Sequence, residues 1–272
     1  MSTLESLHRE VLFPQVRVET AKSGGSGTII YSVGASSYIL SCEHVIDDAI
    51  SVKKEWDPKI SKEIKKEFRQ IVSVEFFDYE NTPHGRSPIT YTVDGDIAAY
   101  DKSHDMALIK LRAKKPHPYV AKLLPRDRVE QMLIGTPIYA VGCQLLHDPV
   151  LTTGIITHMG DEIDYKDYWM GTANIIFGSS GGAVFTADTH EFIGIPSRVD
   201  VVGWGTPVTH LGYFSPITRV YQFLEEQLYQ FIYDSTFTEA ACEERRAKEK
   251  QKYHKVVEEE EEAKIGSLTD RI

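Results

Sequence analysis

Short segments rich in Val, Ile, Thr and Tyr recur along the chain from about residue 24 to residue 216, and clusters of Gly, Pro, Asn and Asp separate them. This pattern is typical of short strands joined by turns. Many short strands at fairly regular spacing predict an all-β barrel or sandwich, with enough strands for two small barrels. The predicted strands are Gly27–Tyr31, Tyr38–Cys42, Ile71–Phe77, Ile89–Val93, Ile97–Tyr100, Met106–Leu111, Pro137–Val141, Leu151–Thr157, Ala183–Thr186, Phe192–Ile195 and Leu211–Phe214.

Two local signals refine this layout within the first hundred residues. Asp94-Gly95 predicts a tight turn between two of the strands, because both residue types tolerate positive φ. In residues 53–70, Ile60, Ile64 and Phe68 recur every four positions among charged side chains. That spacing predicts a surface helix with one thin apolar stripe, inserted into the β-rich region.

The C-terminal part of the chain is predicted to be helical. Residues Ile217 to Ile232 place apolar side chains on one face, which predicts a core-facing helix. Residues 239–272 are rich in charge, so an exposed helix or a frayed tail is expected there, and a helix that binds a partner or mediates oligomerisation is the alternative. The predicted division is a domain at 1–232, including the insertion near 53–70, and a charged helical or flexible tail at 233–272.

Composition and charge narrow the classes of function. The 272 residues are 42% hydrophobic and carry a formal net charge of −10, whereas a general nucleic-acid binder needs a basic surface. No apolar run of about 18 residues is present and the N-terminal residues lack an apolar signal core, so no membrane span is expected. A cytoplasmic location is expected, with association with a virus particle as the alternative. Three cysteines without a CxxC spacing argue against a disulfide framework or a zinc ribbon and favour a reducing compartment.

The strongest chemical signal is the segment from Gly178 to Gly182, which reads Gly-Ser-Ser-Gly-Gly and precedes an apolar strand. Glycines on both sides of Ser180 permit unusual backbone angles and a close approach of substrate. They also leave the N–H groups of Gly178 and Ser180 free to point at one spot, which is what an oxyanion requires. Taken alone, a Gly/Ser cluster is more often an ordinary loop.

Two further segments place a polar residue at the end of an apolar strand. Within the segment from Tyr38 to Ile46, His44 closes an apolar strand and is followed by further apolar residues, and Asp105 opens a later apolar segment. Alone, such a histidine is usually a half-buried residue at the end of a strand, and such an aspartate is usually a turn residue. Together with Ser180 they supply a nucleophile, a base that accepts its proton and a carboxylate that orients the base. The chain order His44, Asp105, Ser180 is that of two-barrel serine proteases, and it differs from the orders of α/β-hydrolases and subtilisin-like enzymes.

Several segments match, in order, the motifs of a known family. With them the chain resembles a trypsin-like (chymotrypsin-fold) serine protease, most closely the HtrA/Deg branch without its PDZ domain, over about residues 15 to 232. The matching segments are Gly24 to Ile30 for the glycine-rich first strand, Tyr38 to Ile46 for the histidine segment, Asp105 to Leu111 for the aspartate strand, Leu151 to Thr157 for a "VTxGIVS" strand, Gly178 to Gly182 for the serine loop and Phe214 to Ile217 for the exit to a terminal helix.

The resemblance implies a fold, an activity and a set of site residues. The fold is all-β: a double β-barrel of the chymotrypsin type, with the active site between the barrels, a C-terminal helix and a charged helical tail. The activity is that of a serine endopeptidase acting through an acyl-enzyme, with Ser180 as nucleophile, His44 as general base and acid, and Asp105 as the orienting carboxylate. The amides of Gly178 and Ser180 form the oxyanion hole. The substrate is a protein or peptide, and no metal or organic cofactor is implied.

The same resemblance implies substrate-binding positions. Asn174 is expected near the base of the first specificity pocket, and Ser197 and Arg198 are expected on one of its walls. Because Asn174 is neutral, nothing there would pair with a substrate Lys or Arg, and a neutral P1 residue is expected, an apolar one included. Arg198 could instead attract an acidic side chain, although an arginine that faces solvent is the commoner case.

Two positions depart from the family pattern. Ser179 stands where trypsin-type zymogens carry an aspartate, so activation by cleavage of that kind is not expected. Phe177 stands where the HtrA group often has proline, and a bulky ring beside the oxyanion loop could alter its geometry. The alternative function is therefore a catalytically silent or gated protease-fold module that binds peptides or takes part in assembly. A non-peptide esterase on the same fold would use the same residues.

Overall fold

A computed structural model describes residues 4–57, 62–79 and 88–251 of the protein. The chain divides into two compact units, of which the first ends at Tyr221 and the second begins at Gln222. Within the described ranges, no helix combines the length and the apolar character needed to cross a membrane.

The strands and the helices are each numbered in chain order. The strands are β1 (Gln15–Glu19), β2 (Gly24–Val33), β3 (Ser36–Ser41), β4 (Ile50–Asp57), β5 (Lys62–Arg69), β6 (Val72–Asp78), β7 (Ile89–Asp101), β8 (Met106–Leu111), β9 (Lys122–Leu123), β10 (Pro137–Gly142), β11 (Val150–Ile163), β12 (Lys166–Gly171), β13 (Ala183–Thr186), β14 (Glu191–Val202) and β15 (Thr206–Pro216). The α-helices are α1 (Leu4–Leu7), α2 (Glu43–Ile46) and α3 (Ile217–Glu226), and residues 239–251 are also helical. Shorter helical turns occupy His8–Leu12, Asp47–Ala49, Arg126–Gln131, Gln144–Leu146 and Gln230–Ile232.

The first barrel closes through six antiparallel strands in the order β1-β2-β3-β8-β7-β6. A row of isoleucines runs across four of these strands: Ile29 pairs with Ile39, Ile39 with Ile109, and Ile109 with Ile97. All four side chains are buried, because alternate residues of each strand face the barrel interior. The β-branched residues that predicted the strands therefore form the core of this barrel.

The predicted turn at Asp94-Gly95 is wrong, because both residues lie inside the continuous strand β7. Gly95 pairs with Val72 on one side and Leu111 on the other. A Cβ at Gly95 would come within 2.5 Å of Ile109 Cγ2, so the glycine makes room for a core side chain. Close packing, rather than a positive φ, is the reason for a glycine here.

The second barrel follows from the pairing of the later strands. The order β13-β10-β11-β12-β15-β14 is closed by a further pairing between β14 and β13, and the short β9 adds to β14 in parallel. Edge-to-face aromatic pairs, including Trp169 with Phe214 and Phe185 with Phe192, fill its interior. These two barrels, with helix α3 after the last strand, confirm the predicted double β-barrel with a C-terminal helix.

The predicted surface helix at 53–70 is wrong, because the described residues of this segment form the two-stranded hairpin β4–β5. A spacing of four residues is even, so it places Ile64 and Phe68 on one face of a strand as readily as on one face of a helix. Pro58 also stands within the window, and a proline inside a helix removes a backbone hydrogen bond. Ile60, the third residue of the predicted stripe, lies outside the described residues.

The predicted single helix from Ile217 to Ile232 is two elements. Helix α3 ends at Glu226, and a separate helical turn follows at Gln230–Ile232. Leu228 between them has a φ of 59°, and a residue in the left-handed region ends a helix. In the second unit, the helix at 239–251 lays Arg246 over the Tyr229 ring at 3.9 Å, and the rest of the charged tail lies outside the described residues.

Candidate active site

His44 lies in helix α2, directly after strand β3. The next two residues, Val45 and Ile46, are buried in the first barrel. Val45 packs so closely on strand β2 that a Cβ at Gly25 would come within 2.7 Å of it. Because these apolar neighbours point inward, the imidazole of His44 is turned outward, and its side chain is 45% exposed.

Asp105 lies in the turn between β7 and β8, with a φ of 55°. Aspartate enters the left-handed region more readily than most residues, and contacts around this turn hold the neighbouring backbone. The buried guanidinium of Arg219 donates to the carbonyl oxygen of His104 at 2.8 Å, and the Asp101 carboxylate accepts the N–H of His104 at 2.9 Å. Both backbone groups of the residue before Asp105 are therefore fixed.

The Asp105 carboxylate binds His44 at the ring and at the backbone. Its two oxygens each lie 2.9 Å from Nδ1, and Oδ1 also accepts the backbone N–H of His44 at 3.1 Å. Burial lowers the pKa of His44, but the hydrogen bond and charge of Asp105, with smaller contributions from Glu43 and Asp47, raise it above its ordinary value. With Nδ1 engaged, Nε2 is the ring nitrogen that can exchange a proton.

Ser180 lies in a tight loop that strand β2 of the first barrel holds in place. The buried Ser26 donates its N–H to the carbonyl oxygen of Ser180 at 2.8 Å and its hydroxyl to that of Gly178 at 2.6 Å. Gly178 and Gly181 have φ values of 87° and 84°. A Cβ at Gly181 would lie 2.2 Å from the carbonyl oxygen of Ser26, so only glycine fits.

The peptide between Phe177 and Gly178 is also fixed in direction. The Phe177 carbonyl oxygen accepts the N–H of Leu145 at 2.7 Å. In a trans peptide the C=O and N–H groups point to opposite sides, so the N–H of Gly178 points away from Leu145. Among the described residues, no protein acceptor pairs with the N–H of Gly178 or with that of Ser180.

His44 and Ser180 line one cavity of about 350 Å³. Ser197 and Arg198, two of the predicted substrate-binding residues, line it as well. Asn174 is not among the lining residues, and its carbonyl oxygen accepts hydrogen bonds from side chains of the second barrel. The other four lining residues are apolar: Ile175, Ile176, Phe177 and Val199.

Cys42, His44 and Asp105 have potential metal-ligand atoms within 4.8 Å of one another. Burial raises the pKa of the Cys42 thiol well above its ordinary value, with a further rise from the charge of Asp105. The sulfur therefore keeps its proton at neutral pH in the metal-free protein, and a metal would have to displace that proton. Since Nδ1 of His44 is already bound to Asp105, the group is suited to orienting an imidazole rather than to holding a metal.

Three residues that support the site were missed by the sequence reasoning. Ser26 holds the Ser180 loop, Leu145 directs the Phe177 peptide, and Arg219 fixes the turn before Asp105. Ser26 stands inside the glycine-rich segment that was matched to the first strand, so the sequence pattern had already singled out this part of the chain. Leu145 and Arg219 act through backbone groups far away in the sequence, and nothing in their local sequence indicates this.

Comparison with known proteins gives three further findings. The family model described as "Trypsin-like peptidase domain" matches residues 25–195. The Arabidopsis thaliana protein named protease Do-like 14 is 27% identical over 224 residues, which are 76% of this chain and 42% of that protein. Serine protease HTRA1 of Xenopus tropicalis is 30% identical over 142 residues, which are 50% of this chain and 28% of that protein. The chain thus spans less than half the length of these curated relatives.

A solved structure shows the same fold. The serine endoprotease from Yersinia pestis has a TM-score of 0.57 at 18% identity, covering 83% of this chain and 66% of that chain. The family match covers more than half of the chain and extends from strand β2 into strand β14, so it includes His44, Asp105 and Ser180. The chain therefore belongs to the trypsin-like peptidase family.

Proposed function

We propose that the protein is a serine endopeptidase that uses His44, Asp105 and Ser180 as its catalytic triad. One observation carries the proposal: the Asp105 carboxylate contacts Nδ1 of His44 at 2.9 Å, and this His44 lines one cavity together with Ser180. An oriented imidazole beside a serine is what acyl transfer requires, because a serine hydroxyl is a weak nucleophile until a base takes its proton.

The reaction proceeds in two stages. Ser180 Oγ attacks the carbonyl carbon of the scissile peptide bond while Nε2 of His44 takes the hydroxyl proton. Asp105 stabilises the imidazolium that forms. His44 then gives the proton to the departing amine, which leaves an ester on Ser180. Water, deprotonated by His44, hydrolyses this ester and restores the free serine.

The amides of Gly178 and Ser180 stabilise the negative charge of the tetrahedral intermediate. Both N–H groups lack a protein acceptor within the described residues. The Phe177 carbonyl oxygen accepts the N–H of Leu145, on the side of the Phe177–Gly178 peptide opposite to the Gly178 N–H. A preorganised donor of this kind lowers the barrier by about 3–4 kcal/mol, because it is already aligned when the charge develops.

The substrate is a polypeptide with a neutral, apolar P1 residue. The walls formed by Ile175, Ile176 and Val199 favour an apolar side chain. Arg198 is paired with Asp164 at 2.9 Å, so its charge is already compensated. The Ser197 hydroxyl is buried and has no hydrogen-bond partner among the described residues, and a backbone group of a bound peptide would satisfy it.

Labelling with a fluorophosphonate probe tests the triad. Wild-type protein should be labelled, and both Ser180→Ala and His44→Ala should abolish labelling. Ser235→Ala and His210→Ala, at exposed positions outside the cavity, are matched controls that should label like wild type. Cleavage of a peptide library varied at P1 then tests the preference, and a preference for Asp or Glu would contradict the apolar pocket.

A gated or catalytically silent module is the second candidate, and one observation favours it. Within the described part of the chain, no hydrogen bond joins the Ser180 hydroxyl to Nε2 of His44. Catalytic hydrogen bonds are often long before substrate binds, so the enzyme remains the better supported function. If folded wild type is not labelled alone but is labelled after addition of a peptide, the enzyme is gated. If it is never labelled, the module is the correct function.

A further inference from the structure

Arg17 lies in strand β1, on the outer face of the first barrel. It pairs with Ser26 of β2 on one side and with Glu75 of β6 on the other. Its neighbours along the strand, Val16 and Val18, are fully buried in the barrel, and alternate residues of a strand point to opposite faces. Residues paired across antiparallel strands point to the same face. The side chains of Glu75, Arg17 and Ser26 therefore form a row on the face opposite to the barrel core.

This row contacts the turn that follows strand β10, residues 143–146. Ser26 Oγ accepts the N–H of Cys143 at 2.6 Å. At the other end of the turn, Arg17 Nη1 donates to the carbonyl oxygen of Leu146, also at 2.6 Å. The first barrel thus holds both ends of the 143–146 turn, and Arg17 supplies the contact at its last residue.

The middle of the 143–146 turn contacts the loop that carries the candidate oxyanion donors. The N–H of Leu145 binds the Phe177 carbonyl oxygen at 2.7 Å, so the N–H of Gly178 points to the opposite side of that peptide. The packing is close, because a Cβ at Gly178 would come within 2.5 Å of the Cys143 carbonyl oxygen and within 2.8 Å of the Leu145 nitrogen. The position of the turn therefore decides the direction of the Gly178 N–H.

Two successive residues of the 143–146 turn have a left-handed backbone. Leu145 and Leu146 have φ values of 52° and 60°, which leucine rarely adopts because its Cβ crowds the following carbonyl oxygen. Their side chains are 59% and 43% exposed, so packing holds them only weakly. A backbone of this kind persists where surrounding contacts fix it. The bond from Arg17 to the Leu146 carbonyl oxygen is such a contact.

The guanidinium of Arg17 is itself held in place. It is ion-paired with Glu75, and the two side chains are only 16% and 17% exposed. Glu19 Oε1 lies 3.5 Å from its Nε, and the Phe77 ring centre lies 5.6 Å from the guanidinium carbon. A planar guanidinium that is fixed from several sides loses little further freedom when it binds a carbonyl oxygen.

The side chain of Ser179, next to the nucleophile, supplies no comparable anchor. Its hydroxyl accepts the N–H of Ile176 at 3.2 Å, and its own N–H binds the Ile176 carbonyl oxygen at 2.9 Å. Both contacts lie within the same loop, so they do not fix the loop to the rest of the molecule. Contacts from outside the loop, such as those of Ser26 and the 143–146 turn, are needed for that.

We propose that Arg17 is a positioning residue for the oxyanion hole. By binding the Leu146 carbonyl oxygen, it holds the 143–146 turn in the conformation that directs the Gly178 N–H into the cleft. This role rests on the proposed function of Ser180. Without the bond, the Phe177–Gly178 peptide turns in most molecules, and only the remaining fraction can stabilise the oxyanion.

Arg17→Met tests this role, because methionine keeps an unbranched side chain but removes every donor. The rate of fluorophosphonate labelling and kcat on a cleaved peptide should both fall about ten- to hundredfold. KM should change less than about twofold, since Arg17 does not line the cleft cavity. Arg9→Met, at an exposed arginine paired with Glu5, is the matched control and should be labelled like wild type. Wild-type labelling and kcat in Arg17→Met would overturn the proposal.

A double variant separates positioning from stability. In Arg17→Met, the Glu75 carboxylate stays largely buried without its partner, which destabilises the fold. Adding Glu75→Gln removes that charge and should raise the thermal unfolding temperature toward the wild-type value, while labelling stays slow. Labelling at the wild-type rate in the double variant would overturn the proposal, because the unpaired carboxylate would then be the cause of the loss.

Hydrogen exchange of the Leu145 amide, followed by NMR, tests the positioning without catalysis. In Arg17→Met this amide should exchange about tenfold or more faster than in wild type, because its bond to Phe177 opens more often. The Ala121 amide, bound to the Ile29 carbonyl oxygen at 2.8 Å, is the internal control and should exchange at the wild-type rate. Unchanged exchange of Leu145 would overturn the proposal. If wild type is not labelled, the proposed function fails, and the Leu145 exchange still decides whether Arg17 holds the turn.

Discussion

The candidate catalytic cleft and the β4–β5 hairpin are held by contacts of opposite kinds. In the cleft, hydrogen bonds that are buried or partly buried join distant residues, such as Ser26 to Gly178, which are 152 positions apart. In the hairpin, exposed side chains pair locally, such as Lys66 with Glu55 at 3.0 Å, where the side chains are 55% and 45% exposed. Buried, long-range contacts fix atoms to fractions of an ångström, whereas exposed local pairs contribute little free energy. The difference predicts where substitutions matter.

The largest effect is expected from Asp105→Asn. This change keeps the shape of the side chain but favours the wrong tautomer of His44, so kcat should fall by about 10⁴-fold. Asp96→Asn, at an exposed ion pair with Arg112, is the matched control and should keep its activity. Steady-state kinetics on a cleaved peptide measures both, and a loss of less than tenfold in Asp105→Asn would contradict the triad.

The next largest effect is expected from Gly181→Ala. Gly181 and Gly34 both have positive φ, but a Cβ at Gly181 would meet the Ser26 carbonyl at 2.2 Å, whereas a Cβ at Gly34 meets nothing within 4 Å. Both substitutions cost about 1–2 kcal/mol of conformational free energy. Only Gly181→Ala should also displace the oxyanion donors and lower kcat/KM by about 10²–10³-fold. Equal activity of the two variants would show that the Ser26 contact does not position the loop.

A smaller effect is expected from Arg219→Lys. Lysine keeps the charge, but it cannot reproduce the hydrogen bonds of the guanidinium to the His104 carbonyl and the Ser215 hydroxyl. Asp105 should shift, and kcat should fall about ten- to hundredfold with KM nearly constant. Arg112→Lys, at the exposed pair with Asp96, should leave kcat unchanged. A rise in KM alone would mean that Arg219 supports substrate binding instead.

The pH dependence should shift by a modest amount. His44 must be neutral to accept the Ser180 proton, so kcat/KM rises with pH through the pKa of His44. Because that pKa is raised, half-maximal activity should lie above about pH 6.5, the ordinary value for histidine. Asp47→Asn removes one of the charges that raise it, so the midpoint should move down. Asp188→Asn, in an exposed turn of the second barrel, should leave the midpoint in place.

The smallest effects are expected in the hairpin. Trp56 is 63% exposed on β4, and Lys66 pairs with Glu55 in solvent. Trp56→Ala and Glu55→Gln should each change the free energy of unfolding by less than about 1 kcal/mol, as is usual for exposed positions. Fluorophosphonate labelling should proceed at the wild-type rate. A slower rate in either variant would show that the hairpin contributes to the cleft.

Sequence reasoning succeeded for the barrels and failed where one pattern fits two structures. Strands Met106–Leu111 and Ala183–Thr186 were predicted with their observed bounds, because apolar runs between turn signals have few alternatives. The four-residue spacing of Ile64 and Phe68 fits a helix and a strand equally, and pairing between β4 and β5 decides between them. Gly95 was predicted to be a turn residue. The close approach of the Ile109 side chain explains the glycine, and Ile109 lies on another strand.

The sequence by itself determined the residues and chemical groups from which the candidate site is built. The order His44, Asp105, Ser180, the glycines around Ser180 and the alternating apolar residues of the barrels can all be read locally, because they are properties of residue type and spacing. Only the tertiary structure decided how these groups are held: Ser26 on the Ser180 loop and Arg219 on the turn before Asp105. These contacts join residues far apart in the chain, and a local sequence pattern carries no record of its distant partner.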